Sequence, residues 1–493
     1  MSGSAVSWAG DVPPGAPTLW AVAIGPDGPA GAATGLTERL GAEVTRVYDA
    51  LVATGFEPDA GATASYPLLS GDARELVLVG TGEGSAADLR KAGAAVARAG
   101  RGHDRVIAVV AEGTDVQVFT EGVVLGSFSF HRKTTEPQKP LAAEVVLTDG
   151  SGADHTSALS RGEIVGRAGW LAREFASTPS NEKDPSWLAE RAAELAKDAG
   201  LEFSVWDEQK LAAEGFGGIV AVGGGSLRPP RLIRLDYTPD GAGDDTPYIV
   251  LVGKGITFDT GGLSLKPRES MVAMKRDMTG GGSVIAAMAA LPELGARVRV
   301  TGLVCAAENM PSGTAYRPDD VVRHYGGRTT EVKNTDAEGR MVLADGIAYA
   351  ATELEPDAIV DVATLTGAIK VSLGAMLYGG LYATDDALAD NLAEAGELSG
   401  ERLWRMPLPE EYTELISTPI ADAVNSSTGP GSITAALFLK PFAGNVPWAH
   451  LDLSSIAESL EDEYEYTLGA TGAGARLLAT WLSSDNPVAG VGS

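Results

Sequence analysis

The sequence predicts an α/β protein of two domains, a smaller N-terminal α/β domain and a larger C-terminal α/β domain with a mostly parallel central sheet. Three observations carry that reading. At 493 residues the chain exceeds what one hydrophobic core serves. Short apolar runs of strand length alternate with longer Ala-rich stretches of helical period. Several runs, 248–252 among them, are apolar throughout, as strands covered on both faces are.

In the N-terminal third, 19–24, 75–79 and 105–110 read as strands, and 86–99 reads as a helix between the last two. Residues 134–140 hold two prolines and little that is apolar, so they form a loop. Gly80-Thr81-Gly82-Glu83-Gly84 lacks the full G-x-G-x-x-G spacing and carries an acid, so it reads as a plain turn. A helical pattern returns at 160–175 and stops at Thr178-Pro179. The predicted division is 1–160 for the N-terminal domain, 161–180 for a linker helix and the loop after it, and 181–493 for the larger domain. There, Asp184-Pro185-Ser186 starts a helix over 187–199. Residues 248–252, 298–306 and 358–362 read as strands, and 280–291 and 341–352 as helices, the first opened by glycines. Repeats of this kind build a mostly parallel sheet whose ligands bind beyond the C-terminal ends of the strands. The acidic run 458–465 reads as a solvated loop.

Composition removes several functions. Lys and Arg number 38 against 66 Asp and Glu, a net charge of -28. That balance repels phosphate backbones and anionic lipid, which argues against nucleic acid and membrane surfaces as partners. No stretch approaches the ~18 apolar residues of a spanning helix, and 1–14 shows no basic-then-apolar leader pattern. A hydrophobic content of 44% excludes a disordered chain. The single cysteine, Cys305, excludes a disulfide framework and a thiolate zinc site, and fits a reducing, cytoplasmic setting. There is no G-x-S-x-G and no H-E-x-x-H, so neither a serine-hydrolase elbow nor that zinc motif is expected. The histidines are scattered, and His450 is expected in a core or behind a site rather than on a metal.

The candidate chemistry falls just past predicted strand ends. After 248–252 come Lys254, Asp259 and Lys266 in a Gly-rich loop. Met274-Lys275-Arg276-Asp277-Met278 runs into a glycine triplet, and Asn334-Thr335-Asp336-Ala337-Glu338-Gly339-Arg340 comes later. Any one of these segments reads as a turn with solvated charges. Together they set Asp259, Asp277, Asp336 and Glu338 beside buried strands, where charges are costly unless paired or metal-bound. Oxygen donors in that number suit Mg2+, Mn2+ or Zn2+. Taken alone, Lys254 reads as a salt-bridged lysine and Arg340 as a partner for Asp336 or Glu338.

The 334–340 stretch matches the signature of the leucyl (cytosol) aminopeptidase family letter for letter, and the chain resembles that family in further blocks. These are 252–267, 274–278, Ala307-Glu308-Asn309-Met310-Pro311-Ser312-Gly313, Ala363-Thr364-Leu365-Thr366-Gly367-Ala368 and Trp448-Ala449-His450-Leu451-Asp452. Thr178-Pro179-Ser180-Asn181 resembles the motif that opens the family's catalytic domain. The likeness is dense from roughly residue 160 onward and only architectural before it.

The resemblance implies an aminopeptidase that removes the N-terminal residue of peptides, with Leu and other uncharged residues preferred, using water held between two divalent ions. Its metal ligands would be Lys254, Asp259, Asp277, Asp336 and Glu338, with Asp259 and Glu338 able to bridge ions roughly 3.5–4 Å apart. Mn2+ or Zn2+ is favoured, and Mg2+ or Co2+ is compatible. Lys254 would have to be neutral, although a free lysine titrates near about 10.4; an adjacent divalent charge would favour that. Lys266 would polarise the scissile carbonyl and stabilise the oxyanion. Arg340 would hold a bicarbonate that carries the water proton. The first-residue pocket would be lined by Met274, Thr364, Gly367, Ser454 and Ala457. Leu453-Ser454-Ser455 stands where relatives often read Ile-Ala-Gly, so broad specificity is expected, with acidic side chains fitting poorly beside 458–465. The resemblance further implies a cytoplasmic homo-oligomer, a hexamer of two stacked trimers, acting on short peptides. A dinuclear phosphoesterase would use the same carboxylates but needs more phosphate clamps than Lys266 and Arg340. A DNA-binding side role, found in some family members, runs against the charge of -28.

Overall fold

The computed structural model describes residues 3–10, 19–25, 28–29, 42–68, 75–135 and 137–492. Residues 1–2 and 11–14 of the stretch read for a leader, and residue 136 of the 134–140 loop, lie outside the described residues. The chain divides into two compact units, Met1–Trp170 with Leu460–Leu468, and Leu171–Ser459 with Gly469–Ser493. Among the described residues no helix is long and apolar enough to cross a membrane.

In the first unit a seven-stranded sheet runs in the order Ala5–Trp8, Glu144–Thr148, Arg105–Val109, Leu19–Gly25, Glu75–Gly80, Thr63–Pro67, with the short Gly28–Pro29 strand off Leu19–Gly25. All pairings on the main path are parallel except the last, where Thr63–Pro67 closes the edge antiparallel. Alternate side chains of the central strands feed two separate apolar clusters, as expected of a sheet covered on both faces. The Ala86–Ala99 helix begins at Ser85, whose hydroxyl accepts the Asp88 amide.

The second unit is built on an eight-stranded sheet. Its order is Leu403–Arg405, Gly379–Ala383, Trp448–Asp452, Ala358–Ala363, Tyr248–Asp259, Arg299–Asn309, Arg231–Tyr237, Glu202–Trp206. The four central strands are mutually parallel, and antiparallel neighbours flank them. Tyr248–Asp259 is followed in the chain by Arg299–Asn309 on one side and then by Ala358–Ala363 on the other. The order therefore reverses at the C-terminal end of Tyr248–Asp259, the kind of crevice where open α/β sheets bind ligands.

Two helices sandwich that strand. Thr279–Leu294 carries the glycine triplet toward the sheet. A Cβ at Gly280 would lie 2.0 Å from the Val362 carbonyl, and one at Gly253 would lie 2.6 Å from Gly281 Cα. Only glycine permits this approach of helix to strand. On the opposite face Glu338–Tyr349 packs into an apolar cluster with Val252, Cys305, Ile359 and Tyr382.

Two elements differ from the sequence expectation in a way that matters. The 248–252 strand runs on to Asp259, and the 341–352 helix begins at Glu338. Gly253 and Gly255 interrupt the apolar pattern, yet the backbone stays paired to Arg299–Asn309 throughout. Lys254 and Asp259 thus ride on a strand rather than in the loop beyond it.

Candidate active site

Lys254 and Asp259 are five residues apart, which on a regular strand puts them on opposite faces. The pairing shows how they come to share one. Ile256 stands opposite Ala307 and Phe258 opposite Glu308, so Thr257 is an extra residue, a β-bulge. Lys254 therefore pairs with Cys305 and Asp259 with Asn309, four residues apart on the partner strand and on one face. Asn309 Nδ2 donates to Asp259 Oδ1 at 2.8 Å, and the Gly261 amide donates to the same oxygen at 2.8 Å.

The other acids arrive from two segments. Asp277 ends the Met274–Arg276 turn just before the glycine helix. Asp336 lies in the loop ahead of the second helix, and Glu338 is that helix's first residue, where a carboxylate is favoured by the helix dipole. Asp259, Asp336 and Glu338 each bring an oxygen within 4.8 Å of the others. Lys254 Nζ lies 2.8 Å from Asp277 Oδ2 and 2.8 Å from Glu338 Oε1. Lys266 Nζ lies 2.8 Å from Asp259 Oδ2 and 2.5 Å from Asp336 Oδ1. All five candidate ligands and Lys266 therefore form one cluster.

Its electrostatics are set by burial. Desolvation raises the pKa of Asp259, Asp277, Asp336 and Glu338. Burial opposes the charge of Lys254, but Asp277, Glu338 and Asp259 more than offset it and hold the ammonium above the usual lysine range. Lys266 is raised likewise, against burial, chiefly by Asp259 and Glu338. Four carboxylates thus face two ammonium groups, and Glu338 Oε2 is buried without a hydrogen-bond donor. Clustered oxygen donors with excess negative charge and an unpartnered carboxylate oxygen fit divalent cations.

The cluster opens into a cavity of about 540 Å3. Met274, Thr364, Gly367, Ser454 and Ala457, the pocket residues expected from sequence, all line it. The Thr364 hydroxyl donates to Asp277 Oδ1 at 2.8 Å, tying pocket wall to acid cluster. Arg340 is not among the lining residues. Its Nη1 donates to the Asn425 carbonyl at 2.8 Å, its Nε is unpartnered, and burial pulls its pKa down to about 10 against Glu338 and Asp452. His450 lies wholly in the core, with Nδ1 2.6 Å from Asp361 Oδ1.

Some supporting residues escape the sequence reading. Asn309 and Asp452 sit inside recognised blocks, but only their burial at strand ends marks them as working groups. Lys183, fully buried, donates to the Phe175 carbonyl at 2.8 Å and the Lys275 carbonyl at 2.5 Å, anchoring the segment that carries Met274 and Asp277.

Fold and site together define a two-unit α/β enzyme whose catalytic unit gathers carboxylates at the end of a parallel sheet. Two family models match, the catalytic domain of the cytosol aminopeptidase family over residues 170–479 and that family's N-terminal domain over 29–137. The chain belongs to the cytosol aminopeptidase family. It is 45% identical over 433 residues to a probable cytosol aminopeptidase of Roseiflexus castenholzii, covering 84% of this chain and 88% of that one. With one of Micrococcus luteus it shares 41% over 489 residues, 93% of each chain. Among solved structures it matches the bottromycin maturation enzyme BotP in complex with Mn, with TM-score 0.83 and 37% identity over 94% of this chain and 99% of that one. The protein's class of activity is that of an aminopeptidase, and dependence on metal is general to the family.

Proposed function

We propose that the protein is a leucyl-type aminopeptidase that hydrolyses the N-terminal residue from short peptides. The observation that carries this reading is the convergence of Lys254, Asp259, Asp277, Asp336 and Glu338 at the switch point of the sheet, opening on the cavity. These five would hold two divalent ions; the Mn in the BotP structure makes Mn2+ a natural occupant, with Zn2+ the alternative. Such ions supply a water acidic enough to be hydroxide-like at neutral pH and a Lewis acid for the scissile carbonyl.

The chain's own residues do the rest. Lys266, a cation at the cavity wall, would stabilise negative charge developing on the carbonyl oxygen. Arg340, with a buried and unpartnered Nε, would hold the bicarbonate expected to carry the proton. Met274, Thr364, Gly367, Ser454 and Ala457 would receive an uncharged first side chain such as Leu or Met, and exclude water around it. A homohexamer in the cytoplasm, restricting access to short peptides, completes the proposal.

The test is hydrolysis of a leucine chromogenic amide before and after metal stripping. Activity should vanish on chelation and return with Mn2+, Co2+ or Zn2+. Undiminished hydrolysis by metal-stripped protein would refute the mechanism. Sedimentation of a fully active monomer near the subunit mass of 50.7 kDa would refute the hexamer.

A further inference from the structure

One wall of the cavity carries charge that the proposed chemistry leaves unused. Arg276, Lys370 and Glu458 line it. Each continues a strip of the first-residue pocket: Arg276 follows Met274 by two residues, Lys370 lies about one turn past Gly367 on the Gly367–Leu373 helix, and Glu458 follows Ala457. Glu458 Oε1 pairs closely with Arg276 Nη1. Lys370 Nζ is 4.0 Å from Glu458 Oε2, at the outer limit of an ion pair. Two cations therefore share one carboxylate, and Arg276 holds it.

Lys370 is the group left over. Its side chain is 41% exposed and reaches the cavity. Burial and repulsion from Arg276 lower its pKa more than Glu458 and Asp452 raise it, so another anion nearby would be stabilising. Glu458, the first residue of the acidic run 458–465, lines the cavity with its carboxylate already held by Arg276. Glu269 also borders the cavity, but it is exposed. Lys254 and Lys266 are occupied by the acid cluster.

We infer that Lys370 receives a carboxylate of the peptide substrate, a deepening that rests on the aminopeptidase reading. That carboxylate has two sources, the side chain of an acidic first residue or the C-terminus of a dipeptide. Two matched pairs separate them: glutamyl against glutaminyl anilide, and Leu-Gly against Leu-Gly amide. Each pair differs in the charge at one position. The holoenzyme, Lys370→Met and Lys370→Arg are compared by kcat/KM.

The carboxylate member of at least one pair should be preferred about three- to tenfold, the worth of one half-exposed charge contact. The preference should shrink as salt rises, disappear in Lys370→Met and survive in Lys370→Arg. Equal rates within both pairs would overturn the inference, as would a preference that is indifferent to salt or persists in Lys370→Met. Failure to hydrolyse any of the four substrates would overturn the aminopeptidase reading and this inference with it.

Discussion

Asp452 holds Thr366 twice, Oδ2 accepting from its hydroxyl at 2.6 Å and from its amide at 3.1 Å. Oδ1 accepts from the Leu365 amide at 3.1 Å and the Ser454 amide at 3.2 Å. One fully buried carboxylate thus fastens both walls of the candidate pocket, the Thr364–Gly367 loop and the Ser454 segment. Asp452→Asn turns one acceptor into a donor facing donors, at a cost of about 1–3 kcal/mol. The walls should loosen before the acid cluster does. Steady-state kinetics should show KM for a leucine amide rising more than kcat falls, with a lower melting temperature. A fall in kcat alone would contradict this role.

Gly339 lies against the lysine of the cluster. A Cβ there would meet Lys254 Cε at 2.5 Å and Nζ at 2.7 Å. Alanine suits a helix better than glycine, and the obstructing atoms are side-chain rather than backbone, so Gly339→Ala should still fold, with a melting temperature lowered as Lys254 is pushed off its buried pairs with Asp277 and Glu338. Activity should nonetheless fall at least ~100-fold, because a displacement of about 1 Å in a catalytic group costs that much. Circular dichroism beside an activity assay checks both halves; near-normal activity would show that Lys254 can move without consequence.

Asp336→Ala and Glu338→Ala should abolish most activity, whereas Arg340→Ala should retain a measurable fraction, its loss being about 10²–10⁴-fold. The distinction follows from position, since Asp336 and Glu338 line the cavity and Arg340 stands behind it. Added bicarbonate should stimulate wild type and leave Arg340→Ala unaffected. Equal stimulation of both would remove Arg340 from the proton path.

His450 supplies a pH dependence of stability. Burial opposes its charge, but Asp361 raises its pKa above the usual histidine value. A raised folded-state pKa stabilises fully below the unfolded value, near about 6.5, and that contribution is lost as pH rises through the folded value. The stability difference between wild type and His450→Gln should therefore be largest below that point and shrink in alkaline solution. Denaturant unfolding across this range measures it, and a difference growing with pH would reverse the assignment.

The candidate ligands are legible in the sequence because they fall in short, dense blocks, and the helices and strands around them follow from apolar period. The shared face of Lys254 and Asp259 is not legible: an odd spacing reads as opposite faces, and the bulge at Thr257 exists only in the pairing with Arg299–Asn309. The strand's length is hidden for a related reason, since Gly253 breaks the apolar run at the point where the helix needs its missing side chain. The Arg276–Glu458 and Asp452–Thr366 contacts join residues 182 and 86 positions apart, and such partners are chosen by packing rather than by local pattern.

The assignment of Leu460–Leu468 to the N-terminal unit bears on modularity. Within that unit, Arg98 donates to the carbonyls of Tyr464 and Tyr466, and Lys91 Nζ sits 4.6 Å above the Tyr464 ring. A recombination that swapped everything before Leu171 between two relatives would exchange Lys91 while leaving behind the Tyr464 ring it sits on, whereas the main-chain carbonyls that Arg98 uses do not depend on residue identity. The heritable module is two pieces of chain, one long and one of nine residues, and they must travel together for a chimaera to keep its parts matched.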